Sequence, residues 1–156
     1  MNKCVLNALR ILGFALCFTT ISAVAANREP AWVKYVEDGD TITVLIGPTR
    51  DEATVRFTDI DAPEIGHGQN RPGQPFGRKA KAAMSQMVYH KDIELECYPG
   101  ETYGRRICRI FVDGVDAGEK LVSMGLAWAY RDNPRYVRDK RIYLAEEGAQ
   151  KEQLGL

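Results

Sequence analysis

The chain has 156 residues, with 21 Lys and Arg against 21 Asp and Glu, and is 45 % hydrophobic and 27 % charged. This is the make-up of one ordinary globular domain, which excludes a low-complexity chain and leaves no global basic field to draw in a polyanion. The first 25 residues differ in kind. Lys3 and Arg10 are their only charges, an apolar run from Ile11 to Phe18 follows, and Ala23-Val24-Ala25 supplies a small-x-small site. That order predicts a secretory signal peptide over residues 1–25, the alternative being an uncleaved membrane anchor. The rest, 26–156, is expected to form a single domain. Without its two leading bases the chain keeps 19 bases against 21 acids, so a polyanion site there must rest on local arginines.

Residues 26–30 read as a loose leader. Trp32 to Val36 reads as a strand, Asp38-Gly39-Asp40 as a turn, and Thr41 to Ile46 as a second strand that Gly47-Pro48 stops. Ala53 to Ile60 predicts a third. Asp61-Ala62-Pro63-Glu64 ends it, because proline cannot donate to a ladder. A loop runs from Ile65 to Gln74. Phe76, Ala80, Ala83, Met84, Met87 and Val88 then recur at helical spacing as a buried stripe, with Arg78, Lys79 and Lys81 mostly off it. Asp92 to Tyr98 and Arg106 to Val112 predict two more strands around a turn from Pro99 to Gly104. Asp116 and Glu119 form a capping box for a short helix that Gly125 ends. Leu126 to Tyr130 is extended, and a last helix from about Val137 to Lys151 is expected to turn Leu144, Ala145 and Ala149 inward.

The element order is α+β. A small five-stranded Greek-key barrel of the OB type is one of several arrangements it allows. Cys4 and Cys17 leave with the predicted signal, and Cys97 and Cys108 flank the predicted hairpin turn. In an exported protein such a pair points to a disulfide, the alternative being two small buried thiols.

Three short segments carry charge that solvation explains poorly: Asp38-Gly39-Asp40-Thr41, Arg56 with Asp61-Ala62-Pro63-Glu64, and Tyr103-Gly104-Arg105. Taken singly, each reads as a turn or an outward strand charge. Yet Asp59, Asp61 and Glu64 crowd the end of one strand. Like charges so close repel unless a metal ion or an arginine sits among them. His67 reads as a solvated loop residue and His90 as a residue near a helix end.

D-G-D-T, V-R-F-x-x-I-D-A-P-E, Q-P-F-G-R, Y-G-R and L-V-x-x-G-L-A-W-A-Y, in this order from about Val33 to Gly155, closely resemble the staphylococcal nuclease family. The resemblance implies a five-stranded OB barrel with three helices. It implies calcium held by Asp40, Asp61 and the backbone carbonyl of Ala62. It implies Arg56 and Arg105 as catalytic arginines, Glu64 as general base, and Tyr103 and Tyr130 as substrate contacts. Thr102 stands where the family's type member has a lysine, which removes one phosphate contact.

The chemistry of these residue types agrees with that set. A phosphodiester is anionic and gathers more negative charge in its transition state. Calcium takes hard oxygen ligands, and arginine offers paired planar donors to phosphate oxygens. The expected activity is a calcium-dependent, exported, monomeric nuclease with no lasting membrane association. Its substrates would be single- and double-stranded DNA and RNA, cut with little sequence preference and leaving 3′-phosphates. The rival reading is an OB-fold module that binds nucleic acid without cutting it, which would not need all of Asp40, Arg56, Asp61, Glu64 and Arg105.

Overall fold

The structure, a computed structural model, describes residues 28–66, 72–133 and 136–156. The predicted signal peptide, Cys4, Cys17 and His67 lie outside the described residues. The described chain runs β1 (Glu29–Val36), β2 (Thr41–Ile46), β3 (Asp51–Phe57), β4 (Ile60–Asp61), α1 (Gly77–Val88), β5 (Asp92–Thr102), β6 (Arg105–Val112), β7 (Val115–Asp116), α2 (Ala117–Ser123), β8 (Trp128–Ala129) and α3 (Arg141–Lys151).

β1, β2 and β3 form an antiparallel meander, β5 pairs with the outer side of β1, and β6 pairs with β5. A parallel pairing of β3 with β6 then joins the two ends. The result is a closed five-stranded barrel with three helices, the OB architecture, and closure leaves these strands without a long free edge. The barrel is filled by inward β-branched and aliphatic side chains, among them Val33, Ile42, Val44, Val55, Leu95 and Ile110, all at 0 % exposure.

Local irregularities aim particular side chains. In β1 the register slips between Val33 and Tyr35. One extra residue reverses the alternation, so Val36 points inward and Tyr35 is left exposed. β1 also starts earlier than the sequence reading, because Glu29 and Pro30 already pair with β5. β5 does not stop at Tyr98. It passes through an irregularity at Pro99-Gly100 and continues to Thr102. The hairpin tip is therefore only Tyr103-Gly104, with φ of 55° and 72°, the left-handed pair that a two-residue turn needs.

Cys97 and Cys108 stand opposite each other on β5 and β6, with Cα atoms 4.0 Å apart, and are joined as a disulfide. α1 buries Ala80, Ala83, Met84 and Val88 as its spacing predicts. α2 opens on Asp116, whose Oδ1 accepts the Glu119 N–H at 3.0 Å, and Gly125 follows it in the left-handed region. The last helix starts at Arg141 rather than Val137. Leu144 is two-thirds exposed, and Ile142 and Ala149 take the inward positions.

Candidate active site

Asp40 closes the turn between β1 and β2. Its N–H bonds Oδ1 of Asp38 at 3.0 Å, and its carbonyl accepts the Phe57 N–H at 2.8 Å, which ties the turn to the end of β3. Oδ2 of Asp40 accepts the Ala62 N–H at 2.7 Å. Gly39 makes that approach feasible, since a Cβ there would stand 2.6 Å from Cβ of Ala62 and 2.9 Å from Cβ of Ala80. Asp40 is buried, at 6 % exposure. Burial pushes its carboxyl up to about 7; the Arg56 charge and the Ala62 N–H oppose this, and Asp38 adds to it.

Arg56 is opposite Thr41 in the β2–β3 ladder, and its guanidinium lies between two acids. Nη1 is sealed from solvent and lies against Oδ2 of Asp40, while Nη2 donates to Oδ1 of Asp61 at 2.7 Å. Burial works against the charge, and the two carboxylates more than restore it, so its pKa is raised. Asp61 is half exposed on β4, held by the short β4–β8 pairing opposite Trp128.

The parallel seam sets Arg56 beside Ile107 in register, which brings the start of β6 to the same end of the barrel. A cleft of about 300 Å³ opens there, lined by Arg56, Asp61, Tyr103, Arg105, Tyr130 and Tyr136. The Arg105 guanidinium stands 5.9 Å from the ring centre of Tyr103, which is 94 % exposed at the hairpin tip. Tyr130 meets Tyr136 edge-on at 6.1 Å, and its N–H bonds the Asp59 carbonyl at 2.8 Å. Burial, then the Asp132 charge, raises its pKa.

Five of the expected site residues thus share one cleft, and Asp40 and Ala62 join it through Arg56 and the Ala62 N–H. Glu64 is placed differently. It lines a neighbouring cleft of about 390 Å³ with Gln74, Phe76, Arg78 and Lys79, three residues along the chain from Asp61. Gln74 holds it twice: its side-chain oxygen accepts the Glu64 N–H at 2.8 Å, and its own N–H bonds the Glu64 carbonyl at 2.9 Å. Nothing in a single sequence marks Gln74 for this, since the contact spans a ten-residue loop.

The expected crowd of three acids is not one cluster. Asp59 has φ of 66° and turns inward. Its carboxylate accepts the Arg138 N–H and lies 3.6 Å from Arg109, which also grips Asp116 at 2.8 Å and Asp139 at 3.1 Å. That group ties β6, α2 and the approach to α3 together. Arg109 is the structural arginine that the motifs did not single out.

Among the described residues no group of three or more His, Cys, Asp or Glu side chains is placed to hold a metal. The candidate donors are two carboxylates, Asp40 and Asp61, and the Ala62 carbonyl. All are hard oxygens, one buried and one open to solvent, and such a set fits a hard divalent cation rather than a soft one.

The family model for staphylococcal nuclease homologues matches residues 54–156. A micrococcal nuclease of Shigella flexneri is 30 % identical over 157 residues, covering 91 % of this chain and 84 % of its own. A thermonuclease of Staphylococcus hyicus is 31 % identical over 128 residues, 81 % of this chain and 74 % of its own. An uncharacterized endonuclease of Haemophilus influenzae is 32 % identical over 141 residues, 90 % of this chain and 73 % of its own.

Proposed function

This chain belongs to the staphylococcal nuclease family and is a nucleic-acid-hydrolysing enzyme, and we propose that it is an exported, calcium-dependent phosphodiesterase acting on DNA and RNA and leaving 3′-phosphates. The observation that carries this reading is the Arg56 guanidinium spanning Asp40 and Asp61 at a cleft that Arg105 also lines. Export is supported by the bond between Cys97 and Cys108, which suits an oxidising compartment.

In the proposed reaction water attacks phosphorus, the bond from phosphorus to the 5′ oxygen breaks, and that oxygen takes a proton from solvent to leave as a hydroxyl, balancing the one the attacking water gives up. Asp40, Asp61 and the Ala62 carbonyl hold calcium, which when bound polarises a phosphate oxygen and neutralises charge. Arg56 and Arg105 approach the phosphoryl group from two strands and donate to its oxygens as negative charge grows. Each such donor contributes about 3 kcal/mol to lowering the barrier. Glu64 takes the proton of the attacking water; Gln74 fixes the main chain that carries it, bonding its N–H and its carbonyl. Tyr103 and Tyr130 offer flat surfaces beside the phosphate. Aromatic faces accept any base, which suits a broad sequence range.

The test is digestion of plasmid and of single-stranded RNA with calcium, then with excess chelator. Cleavage is expected in the first and none in the second, and full activity under chelation would remove the metal from the mechanism. Arg56→Ala and Arg105→Ala should each lower kcat by about 10²-fold or more, measured below each variant's own melting transition because losing Arg56 also strands Asp40. Normal turnover in either would exclude that arginine.

A further inference from the structure

Between Glu64 and Asp92 the sequence holds five bases, Arg71, Arg78, Lys79, Lys81 and Lys91, and no acid, in a chain whose net charge is zero. The described part of this segment is α1 and its flanks. Its stripe of Ala80, Ala83, Met84 and Val88 is buried, so the bases are sorted to the outer side. Arg78 and Lys79 are exposed, and both line the cleft that contains Glu64. The Lys79 ammonium stands 4.8 Å from the ring centre of Phe76, and that of Lys81 stands 5.0 Å from the ring centre of Tyr35. At the far end of α1 three rings stack: Trp32 on His90 at 4.9 Å, and His90 on Tyr89 at 3.8 Å, with Tyr89 45 % exposed.

Charge gathered in the first turns of one helix beside the proposed base, with exposed stacked rings just past the other end of that helix, has the make-up of the two ends of a single-strand track. Cations follow the backbone, and an aromatic face takes a base. The geometry points to α1 as a second binding site of this enzyme, for the stretch of single-stranded substrate that leaves the cleft beside Glu64. Arg78, Lys79 and Lys81 contact its phosphates, and Tyr89 stacks on a base. This rests on the nuclease reading above. The helix has 12 residues and is about 18 Å long, further than the single phosphate linkage of a dinucleotide reaches, so a dinucleotide cannot engage both its ends and a long strand can.

Two variants of the full chain lose equal charge: Arg78→Gln with Lys79→Gln and Lys81→Gln, and the control Lys120→Gln with Lys140→Gln and Lys151→Gln at exposed positions in α2, just before α3 and at the end of α3. KM is measured with calcium on a dithymidylate and on an oligothymidylate of about 24 nucleotides, which is long enough to cover the whole helix. Binding of the labelled oligothymidylate is followed separately by anisotropy under chelation. The α1 variant is expected to raise KM on the long strand about tenfold, without a comparable change on the dinucleotide. It should also flatten the dependence of log K on log salt by about 2, the loss of three single-strand phosphate contacts. Tyr89→Ala should weaken anisotropy binding of the long strand.

An unchanged long-strand KM and salt slope would overturn the track, as would equal effects from the control variant. A wild-type protein that cuts neither substrate refutes the nuclease reading instead. The anisotropy arm still reads the track in that case, because it needs no turnover.

Discussion

Replacing Gly39 with alanine tests whether the turn before β2 must touch the corner that follows β4. Gly39 is not in the left-handed region, so the cost is steric. An added Cβ would lie 2.6 Å from Cβ of Ala62 and 2.9 Å from Cβ of Ala80. Carbon atoms settle at about 3.5–4.0 Å, so both contacts must open by roughly 1 Å. Neither neighbour is the tip of a flexible side chain, and the turn itself has to move. Overpacking of this kind costs about 1–3 kcal/mol. At about 3–5 °C per kcal/mol for a domain of this size, the melting temperature should fall by about 3–15 °C.

The movement also pulls Asp40 from the Ala62 N–H, now 2.7 Å away. Both residues are proposed calcium ligands, so the ion should add less stability as well. Calcium at about 100 times its Kd adds about 2.7 kcal/mol, and a tenfold weaker site at the same concentration adds about 1.4. Thermal melts of both proteins, with calcium and with chelator, measure the two effects at once. A Gly39→Ala protein that melts with the wild type and keeps its calcium increment would refute the packing argument.

Arg109→Met leaves Asp59, Asp116 and Asp139 around a lost cation. Stranding partly buried charge costs about 3–5 kcal/mol, read by urea unfolding, and Arg109→Lys should recover only part because it lacks the fork. Reducing the Cys97–Cys108 bond, which spans 11 residues, should cost about 3 kcal/mol in the same assay. The Arg141 side chain, then the Arg141 N–H and the Arg109 charge, hold the Asp139 carboxyl down at about 2 from an ordinary 3.8 against the opposing effect of burial. Its contribution is therefore present above about pH 4 and lost as pH falls through about 2. Asp139→Asn should lower stability at neutral pH and flatten its decline over that interval, followed by denaturant melts across pH.

Most of the barrel was legible because its strands alternate and its helices repeat at their own periods. Met84 and Val88 fall on the predicted stripe, and Asp116 caps the helix it was read to cap. The misses have local causes. Pro99 looked like a strand end, but an irregularity absorbs it and β5 resumes. Leu144 looked inward because helical spacing alone leaves the rotation of a weakly apolar helix open, and Ile142 fills the inward position.

In the candidate site, five short motifs in order picked out the candidate residues, and the barrel brings five of the eight to one cleft. Which of the nearby acids faces which arginine was not legible. Asp59 and Asp61 are two residues apart, yet one is 4 % exposed against Arg109 and the other opens to the cleft. That division goes with the left-handed backbone at Asp59, a conformation Asp adopts more readily than most residues but that its sequence position inside a predicted strand hid. Gln74 opens the Q-P-F-G-R motif, but its contact with Glu64 was not legible, since it exists only once the chain has folded back.

The pairing of β3 with β6 has a consequence for biosynthesis. Arg56 and Arg105 are separated by α1 and all of β5, and only the seam sets them at one end of the barrel. A nascent chain that has emerged only as far as α1 already carries Asp40, Arg56, Asp61 and Glu64, yet lacks the strand that completes the cleft. The ribosome and its message are therefore not exposed to the complete proposed site while the first half is being made. Competence arrives late in translation, with the same step that closes the cylinder.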